Sequence, residues 1–267
     1  MARIGQLGCF IKYGNAGKYR QKENMIKPLI RSTLERFLAG RGYRLVANNL
    51  FNWPLRDAEF MEIFQRQARF GWKDTSGPKI QRMYMVRNLL LSTKGLNGDW
   101  AECGVFKGAT SLIMAEYNRR YKLLQPGFNM HLFDSFEGLT DPASADAGTN
   151  MVKGDYLGTE DEVKHNLAEY DCFVYHRGWI PDRFPDVADR KFSFVHIDVD
   201  FYEPVRDSLD FFLPRMVNGG VVVLDDYGCA QTPGALLAAD EMAVRYGCHI
   251  GGLPFGQAFI VVRHGIE

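Results

Sequence analysis

The last two apolar runs of this chain, His249–Gly252 and Ala258–Arg263, are separated only by Leu253–Gln257. That gap is too short for the crossover two parallel strands need, so the runs must pair as an antiparallel hairpin. Upstream, from Gly98 onward, short apolar runs fall at Trp100–Cys103, Met130–Phe133, Phe173–His176, Phe192–Ile197 and Val221–Leu224. Helix-patterned stretches lie between them, near Ala109–Leu123, Asp161–Ala168, Val205–Leu213 and Gly234–Tyr246. Strands alternating with helices build a parallel sheet. The expected fold is therefore α/β and Rossmann-like: a mostly parallel seven-stranded sheet ending in an antiparallel hairpin. A dinucleotide dehydrogenase, which continues with parallel units, fits this order less well.

Before Gly98 there is no strand-like alternation, and the spacing predicts helices near Lys22–Leu38, Arg56–Phe70 and Pro78–Thr93. Trp53 and Pro54 precede the second, while Thr75, Ser76 and Pro78 resemble a cap with an early-turn proline before the third. Ile80, Met83, Tyr84 and Arg87 share one face of that third helix, a packing stripe from which Tyr84 can also reach a ligand. The chain thus reads as a helical region, 1–97, that caps the site or contacts substrate or another subunit, followed by a cofactor-binding domain, 98–267.

Formal charge is zero overall but uneven, since Met1–Arg44 holds ten Lys/Arg against Glu23 and Glu35. Such a segment suits either a solvated helix face or contact with an anionic surface or partner. The five cysteines are widely spaced with no CxxC pattern, which argues against a disulfide framework or a structural zinc site. No apolar run reaches the ~18 residues a membrane span requires. A cytoplasmic, soluble protein without nucleic-acid partners is the expectation.

Two strand-end turns outline a cofactor site. In ECGVFKGATS, Glu102 ends an apolar run, Gly104 and Gly108 allow a tight turn around Val105, and Thr110 and Ser111 offer hydroxyls at the start of the next helix. Only ExGxxxG is present where a pyrophosphate fingerprint needs GxGxxG. The next run ends in FDSFEG, where Asp134, beside Ser135, stands where a carboxylate accepts from both ribose hydroxyls. After the third run, Gly178 and Trp179 are placed to wall an adenine, or Trp179 packs under the sheet edge.

The other half of the site is acidic. HIDVDFYEP supplies Asp198 and Asp200, and VVVLDDYG supplies Asp225 and Asp226. Four carboxylates at neighbouring strand ends repel unless a cation neutralises them. Oxygen-only ligands point to Mg²⁺ or a similar divalent ion rather than zinc. The alternative is that these acids cap the helices that follow Tyr202 and Tyr227. His131 and His196, inside strands, read as core histidines, and Phe201, Tyr202 and Tyr227 either line an acceptor pocket or pack. Thr140–Tyr156, rich in Asp, Ala and Gly, reads as a lid over the substrate or a plain surface loop.

The motifs ECGVFKG, FDSFEGL, HIDVDFYEP and GGVVVLDDYG, followed by AADEM, resemble the macrocin O-methyltransferase family across about Gly98 to Val262. The resemblance implies a class I S-adenosylmethionine fold and a divalent metal, usually Mg²⁺, acting on sugar hydroxyls of natural products. It places Glu102, Gly104 and Gly108 around the methionine part of the cofactor, Asp134 at the ribose, and Asp198, Asp225 and Asp226 on the metal. The family commonly reads HIDGDLYE, so Val199 and Phe201 alter the wall beside the acids. The implied chemistry is in-line methyl transfer to a hydroxyl, with Asp200 as the base and Asp198 as its alternative. Homo-oligomers are frequent in the family. Rival readings are a nucleotide-dependent oxidoreductase and a noncatalytic binding or assembly protein that keeps the sheet for structure.

Overall fold

The computed structural model describes residues 53–70 and 77–264. The helix expected over Lys22–Leu38, the basic Met1–Arg44 segment and the Thr75–Ser76 cap lie outside them. Helix α1 (Ala58–Arg66) follows a single turn at Trp53–Arg56 and runs on into a 3₁₀ turn, Gln67–Phe70. Asp57 caps it, accepting from the Phe60 N–H at 2.9 Å. Helix α2 spans Gly77–Ser92. Then the strands and helices alternate: β1 (Asp99–Cys103), α3 (Ala109–Tyr121), β2 (Met130–Asp134), α4 (Glu160–Asn166), β3 (Phe173–Arg177), β4 (Phe192–Ile197), α5 (Tyr202–Phe212), β5 (Met216–Leu224), α6 (Pro233–Tyr246), β6 (Ile250–Gly252) and β7 (Ala258–Val261).

The sheet has seven strands in the order β3-β2-β1-β4-β5-β7-β6. Strands β1 to β5 pair in parallel, and β7 runs antiparallel to both β5 and β6. This is the sheet expected from the sequence, including the closing hairpin. The order reverses beside β1, where β2 and β4 flank it, and in open α/β sheets that switch point opens a crevice at the strand C-termini.

Side-chain alternation splits the core in two. Trp100, Leu132, Phe194, Val221 and Val223 face a layer containing Phe60, Ile63, Met83, Val86, Leu90 and Leu112. Ala101, Cys103, Phe133, Val195, Ile197, Val222 and Leu224 face the other layer, with Val205, Leu209, Phe212, Ala238 and Met242. Helices α1 and α2 therefore share a core with the sheet.

One strand is longer than its apolar run suggests. β5 begins at Met216, not Val221, and its pairing with β4 slips between Phe192 and Phe194. Gly219, at φ 84°, absorbs the irregularity, as a glycine at a strand bulge does. Asn218-Gly219-Gly220 reads as a turn in sequence because local composition does not record pairing to a neighbour.

Candidate active site

At the strand C-termini the ladder continues one residue past the sheet. Gly104 N–H donates to Phe133 O (2.9 Å), Gly178 N–H to Asp134 O (3.0 Å), Asp198 N–H to Cys103 O (2.8 Å) and Asp225 N–H to Ile197 O (2.9 Å). These bonds hold Gly104, Asp134, Gly178, Asp198 and Asp225 along one edge, above a cavity of about 710 Å³.

The glycine turn is built by contact. Gly104 has φ 82°, and a Cβ there would stand 1.8 Å from Asp198 O, so only glycine lets the turn meet the end of β4. Gly108, φ 83°, opens α3. Asp134 Oδ2 accepts from the Val105 N–H (2.7 Å) and the Phe106 N–H (3.0 Å), and Oδ1 from the Phe136 N–H (2.7 Å). The carboxylate expected at a ribose thus also fastens the turn to β2, while still lining the cavity.

Glu102, Val105, Thr110, Ser135 and the half-buried Trp179 all line that cavity as well. Ser111 does not. It is fully buried and donates its hydroxyl to Glu102, so it fixes a carboxylate rather than facing a ligand.

Asp198, Asp200, Asp225 and Asp226 converge on the same cavity. None of them caps a helix. The Tyr202 N–H at the start of α5 is taken by Asp146 (2.8 Å), a buried residue of the Thr140–Tyr156 stretch, and Thr232 precedes α6 without a side-chain cap. Asp146 thereby pins the middle of the expected lid to α5. Thr140, Asp141, Met151 and Tyr156 from this stretch line the cavity. The chain does not stay extended after Asp198. It turns at Asp200 (φ 57°), with the Phe201 N–H on Val199 O at 2.6 Å. Phe201, Tyr202 and Tyr227 are not among the lining residues, whereas Val199 is.

Two cations meet the acids, and the sequence singled out neither as such. His196, 1% exposed, lies 3.3 Å from Glu102 Oε1 through Nδ1 and 3.4 Å from Asp225 Oδ1 through Nε2. Burial alone would push its pKa down, but the bonds to Asp225 and Glu102 outweigh burial and bring it up to about 10. Arg82, from α2, pairs with Asp225 Oδ2, donates to the Asp225 carbonyl, and reaches Asp226 Oδ1 at 3.0 Å. Gln257 adds a 2.6 Å bond to Asp225 Oδ1.

The four acids consequently differ. Burial opposes ionisation of Asp225, yet His196, Arg82 and Lys79 hold its carboxyl well below the usual range. Burial, reinforced by neighbouring acids, pushes Asp198 up and Asp226 well up, and Asp200 to about 7. Asp226 Oδ2 is buried without a hydrogen-bond partner. Ligand atoms of His196, Asp198 and Asp225 lie within 4.8 Å of one another.

Lys79 and Arg82 were legible only in part. They sit at i and i+3 on the stripe that continues through Met83, Val86 and Leu90, so the core face of α2 runs into the cavity. A sequence search for cations on the same helical face as the core residues would have found them.

The chain is 26% identical over 228 residues to demethyldecarbamoylnovobiocin O-methyltransferase from Streptomyces niveus, covering 78% of this chain and 83% of that protein. It is 28% identical over 154 residues to 8-demethyl-8-(2,3-dimethoxy-alpha-L-rhamnosyl)-tetracenomycin-C 4'-O-methyltransferase from Streptomyces olivaceus, covering 54% and 58% respectively. In fold it resembles the solved O-methyltransferase NovP, with a TM-score of 0.62, 23% identity, and coverage of 69% of this chain and 81% of that one. Residues 78–241, which hold Arg82, the glycine turn and all four site aspartates, match the family model described as Macrocin-O-methyltransferase (TylF), and the chain belongs to that family of S-adenosylmethionine-dependent O-methyltransferases.

Proposed function

We propose that this enzyme methylates a hydroxyl of a sugar or glycosylated natural product, assisted by a divalent cation, with Mg²⁺ the best match. The observation that carries the reading is the convergence of Asp198, Asp200, Asp225 and Asp226 on the cavity that the Gly104 turn and Asp134 also line. The names of the Streptomyces relatives, one acting on a rhamnosyl group, support a glycoside acceptor.

The residues present fit a hard cation. Asp226 offers a buried oxygen without a partner, and oxygen ligands suit Mg²⁺. Asp198, Asp225 and Asp226 would hold it, and it would supply Lewis acidity that lowers the pKa of the acceptor hydroxyl. Glu102, Gly104, Val105 and Thr110 form the methionine side of the cofactor site, Asp134 and Ser135 the ribose side, and Gly178 and Trp179 the adenine side, while Gly108, which does not line the cavity, shapes the turn that opens α3. Ser111 acts through Glu102.

S-adenosylmethionine supplies an activated methyl group. Asp200 takes the hydroxyl proton as the new C–O bond forms and the C–S bond breaks, leaving S-adenosylhomocysteine. Its pKa near 7 suits a base working at neutral pH. Asp198 is the alternative base if the acceptor approaches from β4. Fixing nucleophile and methyl in line contributes up to ~7–11 kcal/mol in well-oriented systems. The N-terminal region, 1–97, with its basic segment, is a candidate cap or a candidate for acceptor or subunit contacts, and a homo-oligomer accords with the family. Among the described residues no helix is long and apolar enough to cross a membrane.

The test is mass spectrometry for a methylene gain on a panel of glycosides, with Mg²⁺ and with EDTA, on wild type and on the double variant Asp225→Asn/Asp226→Asn. Turnover is expected to vanish in the variant and in EDTA while calorimetry still detects cofactor binding. Undiminished turnover in both would remove the metal from the reaction.

A further inference from the structure

The acidic pair that should receive the metal is already engaged by a cation. Asp225 Oδ1 is taken by Gln257 and His196, and its other oxygen, Oδ2, faces Arg82. Asp226 Oδ1 faces the same guanidinium at 3.0 Å, which leaves Asp226 Oδ2 as the buried oxygen without a partner. A divalent ion that joins Asp226 Oδ2 to Asp225 Oδ2, the Asp225 oxygen not already held by Gln257 and His196, competes with Arg82 for that oxygen.

The placement of Arg82 allows such an exchange. It projects from α2 at the point where the buried stripe Met83, Val86, Leu90 gives way to the cavity, and its side chain keeps 19% of its surface exposed. A guanidinium is a single delocalised charge that satisfies carboxylates by hydrogen bonds, on a long aliphatic stem. A divalent ion brings twice the charge and binds oxygen directly. The two compete for the same atoms, and like charge keeps them from sharing the pair at close range.

We propose that Arg82 is the resident counter-cation of the Asp225–Asp226 pair: it holds the two carboxylates together in the metal-free protein and releases them to a divalent cation. The proposal rests on the metal reading above and adds to it a residue outside the acidic motifs. Removing the guanidinium frees ligand oxygens and removes a competitor, so metal binds more tightly. It also leaves buried like charges facing each other without metal, so the metal-free protein loses stability. A permanent clamp that merely oriented the acids would behave oppositely, since its loss would weaken metal binding.

The experiment titrates Mn²⁺ alone into wild type, Arg82→Met and Arg82→Lys, reading the dissociation constant by calorimetry and free Mn²⁺ by electron paramagnetic resonance. Circular dichroism and S-adenosylmethionine calorimetry report whether each variant is folded. Arg82→Met is expected to bind Mn²⁺ at least tenfold more tightly than wild type, to melt lower in EDTA, and to gain more in Tm on Mn²⁺ addition. Arg82→Lys, which keeps the charge on a shorter, more strongly hydrated head group, falls between, and it decides by the same criterion should Arg82→Met not fold. Equal or weaker Mn²⁺ binding in the variants overturns the exchange while leaving the metal reading intact. Absence of Mn²⁺ binding in wild type and variants overturns the metal reading and the exchange with it.

Discussion

Gly104→Ala should separate ordinary backbone strain from a collision at the centre of the site. Left-handed backbone costs an alanine about 1–2 kcal/mol. At φ 82° that cost applies here, but a second one is larger in consequence: the new Cβ would stand 1.8 Å from Asp198 O and 2.8 Å from Asp198 C. Both neighbours are backbone, so no side chain can swing aside. The turn and the end of β4 must part by upwards of ~1 Å, and a misplacement of that size costs on the order of 100-fold in rate. Parting them also strains the Asp198 N–H to Cys103 O bond, now 2.8 Å, at the edge of the sheet. Losing a buried hydrogen bond costs about 1–3 kcal/mol, which brings the total to about 2–5 kcal/mol. Gly127→Ala is the control, because Gly127 has φ 90° with nothing within 4 Å of its added Cβ. Urea unfolding of both variants, with calorimetry for S-adenosylmethionine and a methyl-transfer rate, makes the comparison. Gly104→Ala should lose more stability than Gly127→Ala and bind cofactor at least tenfold more weakly. If the two variants lose the same stability and both bind cofactor like wild type, the close approach of the turn to β4 is not what holds the site.

Three further outcomes are expected. For Asp200, burial beside Asp198 and Asp225 raises the carboxyl to about 7, so kcat/KM should rise with pH through an ionisation at or below that value, a bound cation drawing it down. Asp200→Asn should lose that limb along with about 10²–10⁴-fold of rate, and a retained limb would assign the base elsewhere. At the opposite end of β1, burial opposes ionisation of Asp99, but His131 Nε2 lying 3.3 Å away and hydrogen bonds from Arg190 (Nε at 2.6 Å) and the Asn129 N–H hold its carboxyl below its usual value. A depressed folded pKa gives stability that is present above the unfolded value, about 4, and is lost as pH falls through the folded one. Arg190→Met should therefore cost about 1–3 kcal/mol in urea melts at pH 7, discounted for the partly exposed guanidinium, with the difference from wild type shrinking below pH 4. Finally, Leu90→Ala, at a fully buried position joining α2 to the sheet, should cost about 2–5 kcal/mol by the same melts, and a loss under 1 kcal/mol would mean α2 is not part of the sheet's core.

The sheet was legible because its information is local: each apolar run between turn signals became a strand, and the five residues Leu253–Gln257 decided the direction of the last pair. The acids were legible for the same reason, since Asp198 and Asp225 directly follow strands β4 and β5. What escaped depends on distance along the chain. Arg82 precedes Asp225 by more than a hundred residues, and only the docking of α2 on the sheet brings it there. Asp146 is unremarkable in a loop of Asp, Ala and Gly, yet it takes the α5 cap that local spacing would have given to Asp198 or Asp200. The first part of β5 was hidden by its Asn-Gly-Gly, because a bulge and a turn use the same residues.

His196 explains how so much acid is tolerated beneath the cavity. The register sets Glu102 on β1 opposite His196 on β4, and His196 opposite Val223 on β5. With period two, Glu102, His196, Val223 and Asp225 all point to the α2 side of the sheet. A buried carboxylate without a partner is costly, and two on one face would each require neutralisation. One imidazolium stands between them, Nδ1 toward Glu102 and Nε2 toward Asp225, and its charge goes to Asp225, since burial pushes Glu102 up despite the bonds from His196 and Ser111. The arrangement leaves Asp198, Asp200 and Asp226 without an equivalent internal partner from the sheet. The acid without a sheet partner is thereby concentrated along the cavity, where Arg82 already reaches Asp226. An arginine supplied by α2 and a histidine supplied by β4 thus divide the work: the histidine joins Glu102 to Asp225 across the sheet, and the arginine joins Asp225 to Asp226 along the cavity.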